Sequence, residues 1–298
     1  MSPDYIMVSL TDTNGEKRNV IKRLWSRYVA KSPNYTKYAI QNQGAITGVH
    51  AVLPIEEADL PNLSKDELTK YILYIKERME SQYVPILLEP RLREALEVGT
   101  YKTPFFLLFV VEELVERIGS NRGIEQKNLK VMILDDGTWR TEYVLLQLAA
   151  RLNHICIVSQ EKTKWEKILQ QLLDEYGIII PVYQMPLTET VQAEIVLNLS
   201  ENPGKFYQHI EGIFSVFDFC PGKRRKQFIR TYAKETIYYS NVILRSLTSQ
   251  VDTEVVSEIV FHKHMEFRKF CHGEIHNISY EGVEQILREY CIEFHGLI

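Results

Sequence analysis

Apolar positions change period several times along this chain, and each change predicts a different element. Residues 130–134, apolar without alternation after Lys130 and of strand length, suit a parallel strand covered on both faces. The polar turn Asp135-Asp136-Gly137-Thr138 follows. Tyr143, Val144, Leu146, Leu148, Ala149 and Leu152 then fall at helical spacing, and residues 155–158 return to a buried strand. The cycle repeats: residues 165–176 have helical spacing, Gly177 is a helix stop, and 178–182 are β-branched and apolar. A last member spans 193–199 and runs into Asn198, Ser200 and Asn202 before Pro203-Gly204. Strands alternating with helices predict a doubly wound parallel sheet, since a right-handed crossover lays successive strands side by side.

Before this unit the pattern is mixed. Residues 5–10 read as a strand, and Asn14-Gly15 as a tight turn. Residues 19–29 read as a helix, and 38–53 as extended but broken at Gly44 and Gly48. Ser64-Lys65-Asp66-Glu67 matches a capping box opening a helix that runs to about Ser81. A short strand at 84–88 and a short helix at 89–98 follow. Thr103-Pro104 then opens one broad-faced buried helix through FFLLFVVEELVERIG. Residues 280–294 read as a closing helix. This organisation predicts an N-terminal α/β domain over 1–100, a sheet domain over 101–215 and a C-terminal helical segment over 216–298 that packs on both, with the boundary near residues 99–103.

The order of a Thr-Pro helix, a loop, a strand, a polar turn with glycine, a helix, and a strand ending in serine resembles the nucleotide-binding half of shikimate dehydrogenase and methylenetetrahydrofolate dehydrogenase proteins. The resemblance covers roughly residues 101–203. It implies an α/β fold in which a smaller α/β domain precedes a Rossmann-like parallel sheet and late helices return to the first domain. It also implies NAD or NADP as the cofactor and an oxidoreductase-like ancestry. One departure bears on chemistry. A dinucleotide loop uses several glycines to turn tightly and approach the pyrophosphate, whereas this turn has Gly137 alone, beside Asp135, Asp136 and Trp139. Two carboxylates there repel a pyrophosphate unless a metal or a basic residue intervenes.

Composition narrows the rest. At 298 residues with 45% hydrophobic and 25% charged content, the chain has ample length for a core. A net charge of −4 argues against a nucleic-acid binder dominated by charge. Four scattered cysteines suit a reduced protein better than a disulfide framework. No apolar run approaches the roughly 20 residues of a membrane span, and the first residues carry no secretory pattern. The expectation is a cytoplasmic protein, with a homo-oligomer contact through the aromatic-rich last third compatible with it.

Open parallel sheets bind ligands outside the carboxyl ends of their strands. The candidate cofactor-binding residues are therefore Asp136, Gly137, Thr138, Ser159, Lys162, Asn198 and Ser200, for a nucleotide or phosphorylated metabolite. Lys162 and Lys164 favour a phosphate-bearing ligand over NAD. No general acid or base stands out, so the alternative is a regulatory or scaffold protein that has lost the cofactor loop. The acidic turn fits neither an aspartyl phosphatase, whose nucleophile position Leu134 occupies, nor a phosphoreceiver, whose aspartate position falls on Leu199. The basic run Lys223-Arg224-Arg225-Lys226 opens a further helix. His262, His264, Cys271, His272 and His276 cluster in sequence, and His272 and His276 have the spacing of zinc ligands on a helix, but Gly273 between them weakens that helix and no metal site is assigned.

Overall fold

The computed structural model describes residues 3–11, 32–79, 84–98, 102–200, 205–221, 223–232, 235–276 and 278–298. The turn at Asn14-Gly15 and the helix expected over 19–29 lie outside the described residues. The chain forms two compact units: residues 1–103, 244–271 and 281–293 in one, and 104–243, 272–280 and 294–298 in the other.

The first unit is a mixed sheet of order β2-β3-β1-β4, made of β1 (Tyr5–Ser9), β2 (Lys37–Gln43), β3 (Ile46–Val52) and β4 (Ile86–Leu88). Gly44 makes the β2–β3 turn at φ +67°, but Gly48 does not break β3. It lies opposite the fully buried Tyr5, whose ring fills the space a side chain would need. Helix α1 (Lys65–Arg78) has the expected capping box: the Ser64 hydroxyl accepts from the Glu67 amide and the Glu67 carboxylate accepts from the Ser64 amide. Leu68, Tyr71 and Ile75 on its inner face pack on Ile6, Val8, Ala51 and Leu53. Helix α2 (Pro90–Ala95) follows β4.

The second unit starts with α3 (Lys102–Phe109) and α4 (Val111–Asn121), two helices where one was expected. The break falls at Val110, whose backbone leaves the helical range at φ −97°, ψ 19°. The run FFLLFVV holds consecutive β-branched residues at its end, and a helix apolar all round has no single face to bury. Splitting it lets α4 turn a clean stripe of Val111, Leu114, Val115 and Ile118 inward.

The central sheet has six parallel strands in the order β12-β11-β9-β5-β6-β7. They are β5 (Lys130–Leu134), β6 (His154–Ser159), β7 (Val182–Gln184), β9 (Ile195–Asn198), β11 (Ser215–Asp218) and β12 (Ile237–Tyr239). The two-residue strands β8 (Val191–Gln192) and β10 (Ile210–Glu211) pair with each other beside it. Counted through their crossovers, the six strands run 3-2-1-4-5-6, so the winding reverses between β5 and β9. Helices α5 (Trp139–Ala149) and α6 (Glu166–Tyr176) make the first two crossovers, and α7 (Lys223–Tyr232) joins β11 to β12. No helix makes the β7–β9 crossover; a ten-residue stretch containing β8 replaces it. The face under that stretch packs Met132, Leu134, Val158, Val196 and Val216 against Leu187, Val191, Tyr207, Ile210, Phe214 and Ile229.

Three expectations are corrected. Residues 178–181 do not pair, and the strand begins only at Val182, because Pro181 accepts from the Ile157 amide but has no N–H to donate. Strands β11 and β12 come from a stretch read mainly as helical; their three- and four-residue length is too short for a period to show. The closing helix is α10 (Glu281–Glu289), after which the chain turns at Cys291, φ +50°, into a strand at Ile292–Leu297. The hairpin β13 (Val242–Ser246) and β14 (Ser249–Val251), with helices α8 (Thr253–Lys263) and α9 (Met265–Cys271), precedes it. Among the described residues no helix is long and apolar enough to cross a membrane.

Cys156 lies on the packed face of β6, and burial pushes its thiol up to about 12. At pH 8 only about one part in ten thousand is then thiolate, so Cys156 should resist alkylation while exposed Cys291 reacts. Mass spectrometry after iodoacetamide treatment checks this; early labelling of Cys156 in native protein would contradict the packing described.

Candidate functional site

The reversal of winding leaves an opening where the carboxyl ends of β5 and β9 diverge, and the polar turn after β5 stands at its lip. The β5 ladder ends with Leu134 opposite Val158 and Asn198, so Asp135 is the first residue past the sheet. Its amide still donates to the Val158 carbonyl, which fixes the carboxylate inward at 6% exposure. Gly137 takes φ +78°, and Thr138 caps α5 by accepting from the Arg140 amide.

Both carboxylates of the turn are engaged. Asp135 accepts from the Gly137 amide at 2.8 Å, from the Ser159 hydroxyl at 2.6 Å and from the Lys164 ammonium at 3.2 Å. Asp136 accepts from the Thr138 amide at 2.9 Å, the Thr138 hydroxyl at 2.7 Å and the Thr141 hydroxyl at 3.0 Å, and it pairs with Arg140 one turn on. The two charges that threatened repulsion are thus offset by two cations from the protein itself. Around them lies a polar cavity of about 140 Å³, lined by Asp135, Asp136, Gly137, Ser159, Lys164 and Ser200, together with Gln160 and Glu161.

The expected site residues divide accordingly. Asp136, Gly137, Ser159 and Ser200 meet at this cavity. Thr138 lies at its rim and lines a second, larger cavity instead. Lys162 is exposed and lines neither. Asn198 is fully buried under the edge, and its amide nitrogen donates to Asp218 at 2.9 Å. Asp218 also accepts from the Cys220 amide at 3.1 Å and the Tyr238 hydroxyl at 2.7 Å, so the ends of β9, β11 and β12 are tied through one buried carboxylate. Asp135 joins the cavity unexpectedly, Lys164 rather than Lys162 is the lysine that reaches it, and Asp218 has no counterpart among the expected residues. Asp135 could have been found from its place one residue past a buried strand; nothing in the sequence marked Asp218 apart from any other acid.

The histidine cluster does not assemble. Helix α9 ends at Cys271 and Gly273 takes φ +71°, so His272 and His276 do not share a helix face. Among the described residues no group of three or more His, Cys, Asp or Glu side chains could hold a metal ion.

A dinucleotide requires the loop amides for its pyrophosphate. Here the Gly137 and Thr138 amides already donate to the carboxylates at their own turn. The loop in this conformation does not fit that group.

Strand order, crossover pattern and cavity position together define a Rossmann-type α/β protein. No family model matches the sequence, and no curated protein matches it. Among solved structures, the chain is similar to L-tryptophan dehydrogenase from Nostoc punctiforme at 11% identity and a TM-score of 0.38, covering 97% of this chain and 81% of that one. It is also similar to a chorismate mutase/shikimate 5-dehydrogenase fusion protein from Clostridium acetobutylicum, at 11% identity and TM-score 0.32, covering 98% of each chain. A third is the 5-ketofructose reductase of a Gluconobacter strain, at 12% identity and TM-score 0.34, covering 96% and 98%. The class rests on the strand pairing, not on these distant likenesses.

Proposed function

We propose that the second unit is a dehydrogenase-like Rossmann domain that binds a mononucleotide or phosphorylated metabolite at the carboxyl edge of its sheet. The observation that carries this reading is the polar cavity at the reversal of winding, the position where open parallel sheets place ligands. Its lining offers acceptors for ligand hydroxyls in Asp135, Asp136 and Glu161. A phosphate is received by Lys164, which reaches the cavity from the end of the β6–α6 connection and exchanges its contact with Asp135 for the ligand, with Lys162 two residues before it in the chain.

A second reading has its own observation. Because the loop amides are satisfied internally, the same frame serves equally as a non-catalytic regulatory or scaffold protein without a cofactor. A thermal-shift screen against AMP, ATP, sugar phosphates, NAD, NADP and S-adenosylmethionine separates the two. A ligand at a hundredfold excess over its dissociation constant adds about 2.7 kcal/mol of stability. A mononucleotide or sugar phosphate that shifts the wild type, and shifts Lys164→Gln much less, supports the first reading. No shift with any compound leaves the second.

A further inference from the structure

The sheet of the first unit ends on an open edge. β2 is its outermost strand, and Lys37, Ala39, Ile40 and Asn42 along it are exposed. Ile40, the middle residue of the strand, is 77% exposed. The neighbouring ladder decides which backbone groups of β2 face outward. The Asp4 amide donates to the Thr47 carbonyl and the Leu53 amide to the Ser9 carbonyl, so alternate residues of β3 from Thr47 onward turn their backbone toward β1. Opposite Thr47, Val49 and Ala51 stand Asn42, Ile40 and Tyr38, whose N–H and C=O groups therefore point out of the sheet. Among the described residues nothing hydrogen bonds to those backbone groups.

A row of free amides and carbonyls is a template for another strand, and edges are ordinarily blunted by proline, a bulge, an inward charge or short length. β2 has none of these. It pairs with β3 in unbroken register from Lys37 to Gln43, holds no proline, and carries one charge, at its first residue. Its sequence is also compatible with itself. Run antiparallel about Ile40, the strand sets Ile40 opposite Ile40, Tyr38 opposite Asn42, Ala39 opposite Gln41 and Lys37 opposite Gln43, so no like charges meet. Gln43 accepts from the Asp252 amide through its side-chain oxygen, which brings the arriving lysine beside an acidic residue. A parallel copy in register sets Lys37 against Lys37 instead.

We propose that β2 is a self-association edge: two copies of this chain pair antiparallel about Ile40 and join their four-stranded sheets into one. The outward groups supply two main-chain hydrogen bonds at the Ile40 pair and two at each Tyr38–Asn42 pair, and the two Ile40 side chains cover each other. β2 belongs to the first unit, so this surface stands apart from the ligand site of the second.

Analytical ultracentrifugation of the full chain from about 1 to 200 µM should show a reversible dimer with a micromolar dissociation constant, as a small contact gives. Ile40→Lys sets two ammonium groups face to face and should weaken the dimer about tenfold, with an unchanged circular dichroism spectrum because the side chain is exposed. Cysteine cross-linking, measured above the wild-type background on non-reducing gels, reads the register. Ile40→Cys brings two thiols across the twofold axis at a Cα separation of about 5.5 Å, within disulfide range, and should give a covalent dimer in oxidised glutathione. Asn42→Cys places its two thiols about 13 Å apart along the strands and should give none. A chain that stays monomeric to about 200 µM overturns the proposal. So does undiminished association of Ile40→Lys, or cross-linking of Asn42→Cys equal to that of Ile40→Cys.

Discussion

Gly44→Ala should unfold or nearly unfold the first unit. Gly44 holds φ +67°, where a side chain costs about 1–2 kcal/mol on sterics alone. Its missing Cβ would sit 2.0 Å from the carbonyl oxygen of Ser246. Backbone cannot swing aside as a side-chain tip can. The Ser246 hydroxyl is meanwhile pinned, donating to the Tyr290 carbonyl at 2.6 Å and accepting from the Ala45 amide at 2.8 Å. Strain and clash together should exceed about 3–4 kcal/mol, a large fraction of an ordinary domain's stability. Urea denaturation followed by circular dichroism reads it directly. Gly123→Ala is the control, because Gly123 has a similar φ of +68° but open space around its Cβ position, so its loss should stay near the conformational term alone. Equal stability of Gly44→Ala and wild type would mean that the turn does not lie against Ser246.

Asp218→Ala should be the most damaging polar substitution in the second unit. The carboxylate is fully buried, and removing it withdraws the acceptor from Asn198, from the Cys220 amide and from Tyr238 in one step. Charge-assisted bonds contribute about 1.5–3 kcal/mol each, and a buried donor left unmade carries its full desolvation cost, so a loss of about 3–5 kcal/mol is expected. Asn198 makes the effect specific: its carbonyl oxygen is buried without a donor, so losing Asp218 leaves both ends of the amide unmatched. Asp218→Ala should therefore lower the urea midpoint far more than Asn198→Ala, which removes its own orphan along with the bond. Similar midpoints for the two variants would show that the carboxylate is not the hub of this edge.

The sheet was legible where its strands are long and covered on both faces. Residues 131–134 and 155–158 announce themselves as unbroken apolar runs, and Gly137 and Gly177 punctuate the unit where positive φ is needed. The edge strands were not. β12 has three residues and intermediate exposure, and its partner β11 is a four-residue run that could as well begin a helix. The split at Val110 was hidden because every residue from 105 to 111 is apolar, and periodicity cannot locate a break in a run without polar positions. The turn residues of the candidate site could be named, but not what they touch. That Lys164 comes back to Asp135, and that Asp218 ties three strands, depends on crossovers of 20 residues or more. The histidines show the converse: spacing suggested a shared face, and one glycine in the left-handed region removed it.

The self-satisfied turn has a kinetic and chemical consequence for anything that approaches it. Asp135 and Asp136 are, in effect, ligands on tethers two residues long, bound to the amides of Gly137 and Thr138. A tethered group competes at its effective concentration, which for short linkers reaches the millimolar range or above. A free anion must outcompete that internal occupant, so its observed affinity falls by the fraction of time the amides are vacant. The turn thus screens this sheet edge against dilute anions by its own side chains.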